Sequence, residues 1–216
     1  MNDGDLSSLA AEPQARRLAE TRAALGDEHP DTLSAMLDLA EAWWAQGRLI
    51  AARRLEEKVV SVRRRRLGEA HPETLRAVGK LAVTMAAQGE LAAARRLQEA
   101  VADGMLLHHG EDGRETLRAV NNLAGTVAAQ GDLAAARSLL EEVVEALSDM
   151  FGAEDADTLA AIGNLAAVMW QAGDQAEAYE LQRQVVASRR RRFGDADASV
   201  RAARAVLEMM EHDAGG

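Results

Sequence analysis

The feature that most constrains this chain is a sequence motif that repeats from one end of it to the other with a fixed period. One series of glycines marks this step at Gly26, Gly68, Gly110, Gly152 and Gly194. A second series keeps the same step without any insertion, at Gly47, Gly89, Gly131 and Gly173. The step is about 42 residues, and a period in this range is typical of a solenoid built from one supersecondary unit.

Each repeat contains two predicted helices. Between Thr116 and Val144, apolar residues recur every three or four positions on both sides of Gly131, which predicts a helix, a turn and a second helix. The sequence therefore predicts an all-α solenoid of antiparallel helix pairs, with repeats at about 25–66, 67–108, 109–150 and 151–192. We expect capping helices at 8–24 and 197–212, a single solenoid over 8–212, a flexible N-terminus at 1–7 and a tail at 213–216.

Local residue choices predict how the helices begin and where they cross. The first helices are expected to begin after the N-cap residues His29, His71, Gly113 and Asp155, and two of the second helices after Asp132 and Asp174. Alanine recurs in both helices of every repeat, at Ala40, Ala82, Ala124 and Ala166 and at Ala52, Ala94, Ala136 and Ala178. These positions are expected to be the close crossings, because a larger side chain there would force the helices apart.

Composition excludes several classes of function. The net charge of -10 argues against non-specific binding of nucleic acid, and the absence of cysteine excludes disulfides and thiolate metal sites. No apolar run approaches a membrane span and no signal core opens the chain, so we expect a cytoplasmic protein. Abundant alanine and arginine suggest a bacterial source.

Two motifs that could form functional sites are assigned a structural role instead. The arginine runs Arg63–Arg66 and Arg189–Arg192 fall at predicted helix C-termini, where cations complement the helix dipole. The pair His108-His109 is assigned to a helix end or a loop rather than to a metal, since adjacent residues on a helix point in different directions. No catalytic constellation stands apart from the repeat, and no cofactor is expected.

The phrases LGDEHPDTL, NNLA and AQGRLIAARRLEEKVV together resemble the tetratricopeptide repeats of kinesin light chains and their bacterial relatives, which have the same period, over about residues 25–194. The third and fourth repeats depart from the pattern, with Gly113-Arg114 and Asp155-Ala156 in place of His-Pro, and Asn-Asn is complete only at Asn121-Asn122. The resemblance implies a right-handed superhelix whose first helices line a concave groove. It also implies binding of a peptide or protein there, without catalysis.

Carried over from the family, the groove positions of this chain are Asp38, Glu41, Trp44, Arg76, Lys80, Arg118, Asn121, Asn122, Asn164 and Trp170. Arg76, Lys80 and Arg118 would form a basic centre for an acidic or carboxylate-bearing ligand. Small residues would leave room on the groove floor, at Gly79, Ala86, Gly125 and Ala128. The alternative interpretation is that Arg76 and Arg118 only pair with Glu73 and Glu115 and that the tryptophans pack between repeats.

Three functions remain open at this stage. The leading hypothesis is a non-catalytic adaptor or scaffold that binds a protein segment in the groove. The second is a structural subunit that self-assembles, as a homo-oligomer, or joins a larger complex through convex or end surfaces. The third is an enzyme or small-molecule sensor that uses a pocket between Trp44 and Trp170.

Overall fold

The structure is a computed structural model that describes residues 13–214. In that range it contains ten α-helices and no β-strand. The first five are α1 (Pro13–Leu25), α2 (Pro30–Ala45), α3 (Leu49–Leu67), α4 (Pro72–Ala87) and α5 (Leu91–His109). The second five are α6 (Arg114–Ala129), α7 (Leu133–Phe151), α8 (Ala156–Ala172), α9 (Gln175–Phe193) and α10 (Ala198–Ala214).

The predicted all-α fold of helix pairs is confirmed. The eight helices from α2 to α9 fall two to each predicted repeat, with α5, α7 and α9 ending within one residue of the repeat's last residue. The N-terminal helix is described only from Pro13, because residues 1–12 lie outside the described range, and α10 extends to Ala214, beyond the predicted 212. The predictions of a flexible segment at 1–7 and of the end of the tail also fall outside the described residues.

Inter-residue contacts divide the chain into two compact units, Met1–Gly104 and Met105–Gly216. In unit 1, α1 packs on α2, α2 on α3 and α3 on α4. In unit 2, each helix from α6 to α10 packs on the next, and the first helices α6 and α8 also touch each other. Short connections inside each repeat make each pair antiparallel. The single solenoid over 8–212 stays a prediction.

The helix starts use the caps that the sequence indicated. The Nδ1 atoms of His29 and His71 accept hydrogen bonds from the backbone N–H groups of Asp31 (3.2 Å) and Glu73 (3.1 Å). Asp155 caps α8 in the same way, at 3.0 Å from the N–H of Asp157.

The second helices are less uniform. Asp132 caps α7 by accepting from the N–H of Ala135 at 3.1 Å. Asp174 holds the N-cap position of α9 without a side-chain capping bond, and its carboxylate accepts instead from Arg137 at 2.5 Å.

The alanine crossings are confirmed. All eight predicted alanines have 0% of their surface exposed. In unit 2, Ala124 of α6, Ala136 of α7 and Ala178 of α9 belong to one apolar cluster with Leu140 and Met169. Each repeat glycine at the helix ends has a positive φ, such as 93° at Gly131, so a side chain there would be strained. Alanine thus allows the helices to pack closely, and glycine allows the chain to turn at the helix ends.

Candidate functional site

On the first helices of unit 1, the predicted groove charges neutralise one another. The ammonium of Lys80 on α4 donates to Glu41 Oε2 on α2 at 2.6 Å. Asp38 accepts from Arg17 of α1 at 2.7 Å. The guanidinium of Arg76 pairs with Glu73, one turn earlier on α4. This surface is therefore a mixed-charge network rather than a basic centre.

The two adjacent tryptophans of α2 have different roles. Trp43 is 1% exposed and lies in the core, with the Arg48 guanidinium 4.7 Å from its ring centroid. Trp44, one of the predicted groove positions, is 41% exposed. An indole this exposed is available to an apolar ligand group.

On the first helices of unit 2, the asparagines form a short amide ladder. Asn164 on α8 donates its Nδ2 to Asn121 Oδ1 on α6 at 3.0 Å. The neighbouring side chain of Asn122 is exposed. Gly125 is exposed one turn further along α6, and a Cβ built there would meet nothing within 4 Å. We refer to Asn121, Asn122, Gly125 and Asn164 as the amide ladder.

Arg118 lies beside this ladder and is held by carboxylates. Its Nε donates to Asp157 Oδ1 at 2.7 Å, and its Nη1 lies 3.6 Å from Glu115 Oε1. Asp157 also accepts from Arg114, whose guanidinium stacks 3.8 Å from the Phe151 ring centroid. Arg76 and Arg118 thus both form the ion pairs that the alternative interpretation predicted.

Two other predicted positions are also structural. Trp170 is half-buried and packs against the apolar cluster of α6, α7, α8 and α9, as the alternative interpretation expected. Ala128 is only 7% exposed and belongs to the same cluster, so the expectation that it forms a groove floor is wrong. Its place at the end of α6 turns it toward α7 instead of toward solvent.

The arginine runs lie at the C-terminal ends of α3 and α9, as predicted, and several of their side chains also form ion pairs and hydrogen bonds. Arg63 is 6% exposed and donates to the carbonyl of Glu73 at 2.8 Å. Arg191 and Arg192 donate to the side chain and the carbonyl of Glu154 at 2.5 and 2.6 Å. His108 and His109 lie at the C-terminal end of α5, as predicted.

Sequence reasoning missed two features. One is Asp157, the acid that joins Arg118 and Arg114; its signal is that an acid recurs at this repeat position, at Asp31, Glu73, Glu115 and Asp157. The other is the buried side chain of Glu56, 3% exposed, which accepts from the Thr84 hydroxyl at 3.0 Å. The sequence signal for its burial is that the equivalent position two repeats later holds an apolar residue, Leu140.

Nothing in the described part of the chain forms a metal cluster: no group of three or more histidines and acids there could hold an ion. Between residues 13 and 214, no helix has both the length and the apolar character needed to cross a membrane.

Comparison with known families identifies the repeat. Family models described as tetratricopeptide repeat match residues 32–73 and 115–191, which together make up more than half of the chain. The chain is a tetratricopeptide repeat protein. No curated protein matches it.

Solved structures place this tetratricopeptide repeat protein beside kinesin-light-chain-like proteins. A crystal structure of nearly identical repeats from a kinesin light chain of Podosopora anserina is 29% identical, with a TM-score of 0.58, over 88% of this chain and 90% of that one. A point variant of the same protein is also 29% identical, with a TM-score of 0.60 over 88% and 89%. BtubC (BKLC) from P. vanneervenii is 19% identical, with a TM-score of 0.68 over 97% and 84%, and it supports the fold.

Proposed function

We propose that the amide ladder of unit 2 binds the backbone of a peptide or protein segment, and that the chain is a non-catalytic interaction scaffold. The chain belongs to the tetratricopeptide repeat family, and such repeats generally serve as protein-interaction scaffolds. The observation that carries the proposal is the hydrogen bond between Asn164 and Asn121.

This bond fixes two amides while leaving most of their capacity unused. A side-chain amide has two N–H donors and an oxygen with two lone pairs. After the bond, Asn164 keeps its oxygen and one N–H, and Asn121 keeps both of its donors. Donors and acceptors in alternation suit a peptide backbone, which carries one of each per residue.

The surroundings of the ladder favour close approach by a chain. Asn122 adds a further exposed amide, and Gly125 has no side chain and open space above it. A ligand backbone can therefore come near α6 without displacing any protein group.

The predicted preference for a carboxylate depends on Arg118, whose exposed fraction is 48%. The Asp157 side chain is only 14% exposed, but it also pairs with Arg114 and keeps that partner when a ligand carboxylate takes its place on Arg118. A ligand carboxylate can therefore exchange with Asp157 at little cost. We propose this exchange as the source of any acidic preference.

Selection of binders from a random peptide library, followed by fluorescence anisotropy, tests the proposal. The double variant Asn122→Ala, Asn164→Ala should weaken the selected peptides about tenfold or more, since it removes hydrogen bonds to the ligand. Gln184→Ala, an exposed amide on the second helix α9, is the matched control and should bind like the wild type. Equal affinity for the double variant and the wild type would exclude the ladder as the binding surface.

The charge variant Arg118→Glu separates the two parts of the proposal. It should weaken acidic peptides and leave neutral ones unchanged. If acidic peptides bind it as tightly as they bind the wild type, the exchange with Asp157 does not occur.

A further inference from the structure

Two exposed helix faces in unit 2 carry opposite charge at equivalent repeat positions. On α7 the exposed acids are Glu141, Glu142, Glu145 and Asp149, which we call the acidic ridge. On α9 and α10 the cations are Arg183, Arg190, Arg191 and Arg204, which we call the basic ridge. Glu141 and Arg183 are separated by one full repeat, as are Asp149 and Arg191, so they hold the same places on their helices.

The acidic ridge is largely unsatisfied. Glu141 pairs with Arg137 at 2.7 Å on its own helix. Across the described residues, no ion pair is formed by Glu142, Glu145 or Asp149. Spacings of three and four place these three carboxylates on one side of α7. The helix therefore presents a row of like charges that no cation among residues 13–214 neutralises.

On the basic ridge, three acids among the described residues pair with four arginines, and Arg191 is paired with Glu154 at 2.5 Å. Arg190 and Arg204 share a single acid, Asp195, at 2.9 and 2.8 Å. The Arg183 pair with Glu180, at 2.9 Å, is exposed and joins neighbouring turns of one helix, so it is weak. Val186, Ala187 and Leu207 form an apolar floor between the arginines.

The equivalent cleft in unit 1 provides an internal comparison. It lies three repeats earlier and has the same paired arginines, Arg64 and Arg65. However, Glu57 stands there in place of Arg183, and Val78 in place of Arg204. The surplus of positive charge is therefore a property of the α9 and α10 cleft and does not come from the repeat.

We propose that the acidic and basic ridges form an interface between two copies of this chain. Helices α7 and α9 both pack on α8 and expose the same repeat positions. A two-fold axis parallel to these helices places α7 of each copy over α9 of the other copy. The surface is self-complementary, as a two-fold interface requires.

In this arrangement equivalent repeat positions face each other. Glu141 and Glu142 lie opposite Arg183 of the second copy, and Asp149 lies opposite Arg190 and Arg191. Opposite charges that meet in this way set the register and accelerate association more than they add affinity. The interface is accordingly a salt-sensitive one.

Two double variants test the interface by exchange of charge. Glu145→Arg, Asp149→Arg reverses the end of the acidic ridge that faces Arg190 and Arg191, and Arg190→Glu, Arg191→Glu reverses the end of the basic ridge that faces Asp149. Each variant alone should dissociate at least about tenfold more readily than the wild type, because like charges then meet. An equimolar mixture of the two should form a one-to-one heterodimer, since every contact again joins opposite charges.

Mass is measured by light scattering and sedimentation up to about 1 mM protein, so that a millimolar dissociation constant is still detected. The wild-type dimer should dissociate between about 20 mM and 500 mM sodium chloride, as screening shortens the range of the charges. The matched control Arg64→Glu, Arg65→Glu reverses the equivalent arginines of unit 1 and should dimerise like the wild type. Circular dichroism checks that each variant is folded.

Several results would overturn the proposal. These are a wild type that is monomeric at low salt, a reversed variant that dimerises as well as the wild type, and a mixture that forms no heterodimer. If the wild type stays monomeric and binds short poly-glutamate peptides, the basic ridge takes a different acidic protein and the assignment to a second copy is wrong.

Discussion

The second helices α3 of unit 1 and α7 of unit 2 hold the same places in their repeats but bury different chemistry. Glu56 on α3 corresponds to Leu140 on α7, and Thr84 on α4 corresponds to Val168 on α8. All four side chains are at most 3% exposed. The same helix geometry thus accommodates a carboxyl and hydroxyl pair in one unit and two aliphatic side chains in the other.

The polar pair in unit 1 is only partly satisfied. Glu56 Oε1 accepts from the Thr84 hydroxyl at 3.0 Å, while Oε2 is buried and has no hydrogen-bond partner among the described residues. Burial raises the pKa of Glu56 to about 7, above its ordinary 4.5. The repeat therefore sets how the helices pack on each other. The residues buried between them decide whether the stability of that packing depends on pH.

A second pair of positions shows the same contrast. Arg63 of α3 is 6% exposed where Leu147 of α7 is 1% exposed. The Arg63 guanidinium reaches the Glu73 carboxylate at 2.9 Å as well as its carbonyl. A long side chain can bury its stem like leucine and still satisfy its charged end.

The largest effect is expected from placing the unit 1 acid in unit 2. Leu140→Glu puts a carboxyl group into an apolar cluster where Val168 offers no hydroxyl. We expect a loss of about 3–5 kcal/mol in the free energy of unfolding at pH 8. Urea titration measures it, and Leu140→Met is the control for the change in shape. A loss below about 1 kcal/mol would mean that the two sites are equally tolerant of charge.

The next largest effect is a pH dependence confined to unit 1. In the folded state Glu56 keeps its proton up to a pKa of about 7, whereas unfolded glutamate loses it near 4.5. The contribution of Glu56 to stability is therefore full below the unfolded value and is lost as pH rises through the folded one. We expect a decrease of up to about 3 kcal/mol between pH 4.5 and 7.5, measured as unfolding free energy in urea.

Glu56→Gln isolates this contribution, because the amide does not titrate. Subtracting the unfolding free energy of the variant from that of the wild type at each pH cancels the contributions of the histidines and all other titrating groups. A difference that is constant with pH would show that Glu56 titrates normally.

A smaller effect is expected from giving unit 1 the aliphatic pair of unit 2. Glu56→Leu with Thr84→Val replaces both partners together, so no buried polar group is left alone. We expect stabilisation of about 1–3 kcal/mol at pH 8, since such replacements are often favourable. Thr84→Val alone is the informative control, because it should destabilise by removing the only donor to Glu56 found in the described part of the chain. Thermal unfolding of the three proteins gives the order.

The smallest effect is expected at Arg63. Arg63→Leu introduces the residue that α7 carries at this place, exchanging a hydrogen bond and an ion pair with Glu73 for better apolar packing. These contributions nearly cancel, so the free energy of unfolding should change by less than about 1 kcal/mol. Arg63→Ala, which loses both, should cost more. If leucine destabilises as much as alanine, the hydrogen bond and ion pair with Glu73 dominate.

Local signals explain why most of the fold was predictable. Glycine at a positive φ, proline at the first helical position and a capping side chain each act within one turn, so the sequence alone locates the helix ends. The alanine crossings follow from the period, because identical helix pairs must cross at identical places. His29, His71 and the eight alanines are all examples.

The side-chain partners were harder to predict because they lie on neighbouring helices. Arg118 meets Asp157 on the first helix of the next repeat, whereas Lys80 meets Glu41 on the first helix of the preceding one. Which of several acids a flexible cation reaches depends on packing that no single repeat encodes. Glu56 was missed for a related reason, since it stands beside Glu57 and only one of the two is buried.

The alanines with no exposed surface also bear on how such a gene can change. Because each first helix carries one at the same place, recombination between the codons of Ala82 and Ala124, or of Ala124 and Ala166, rejoins the chain in register. Every such exchange adds or removes one whole repeat and leaves each remaining crossing intact. Length is then a property that evolution can adjust in single genetic steps without redesigning the core.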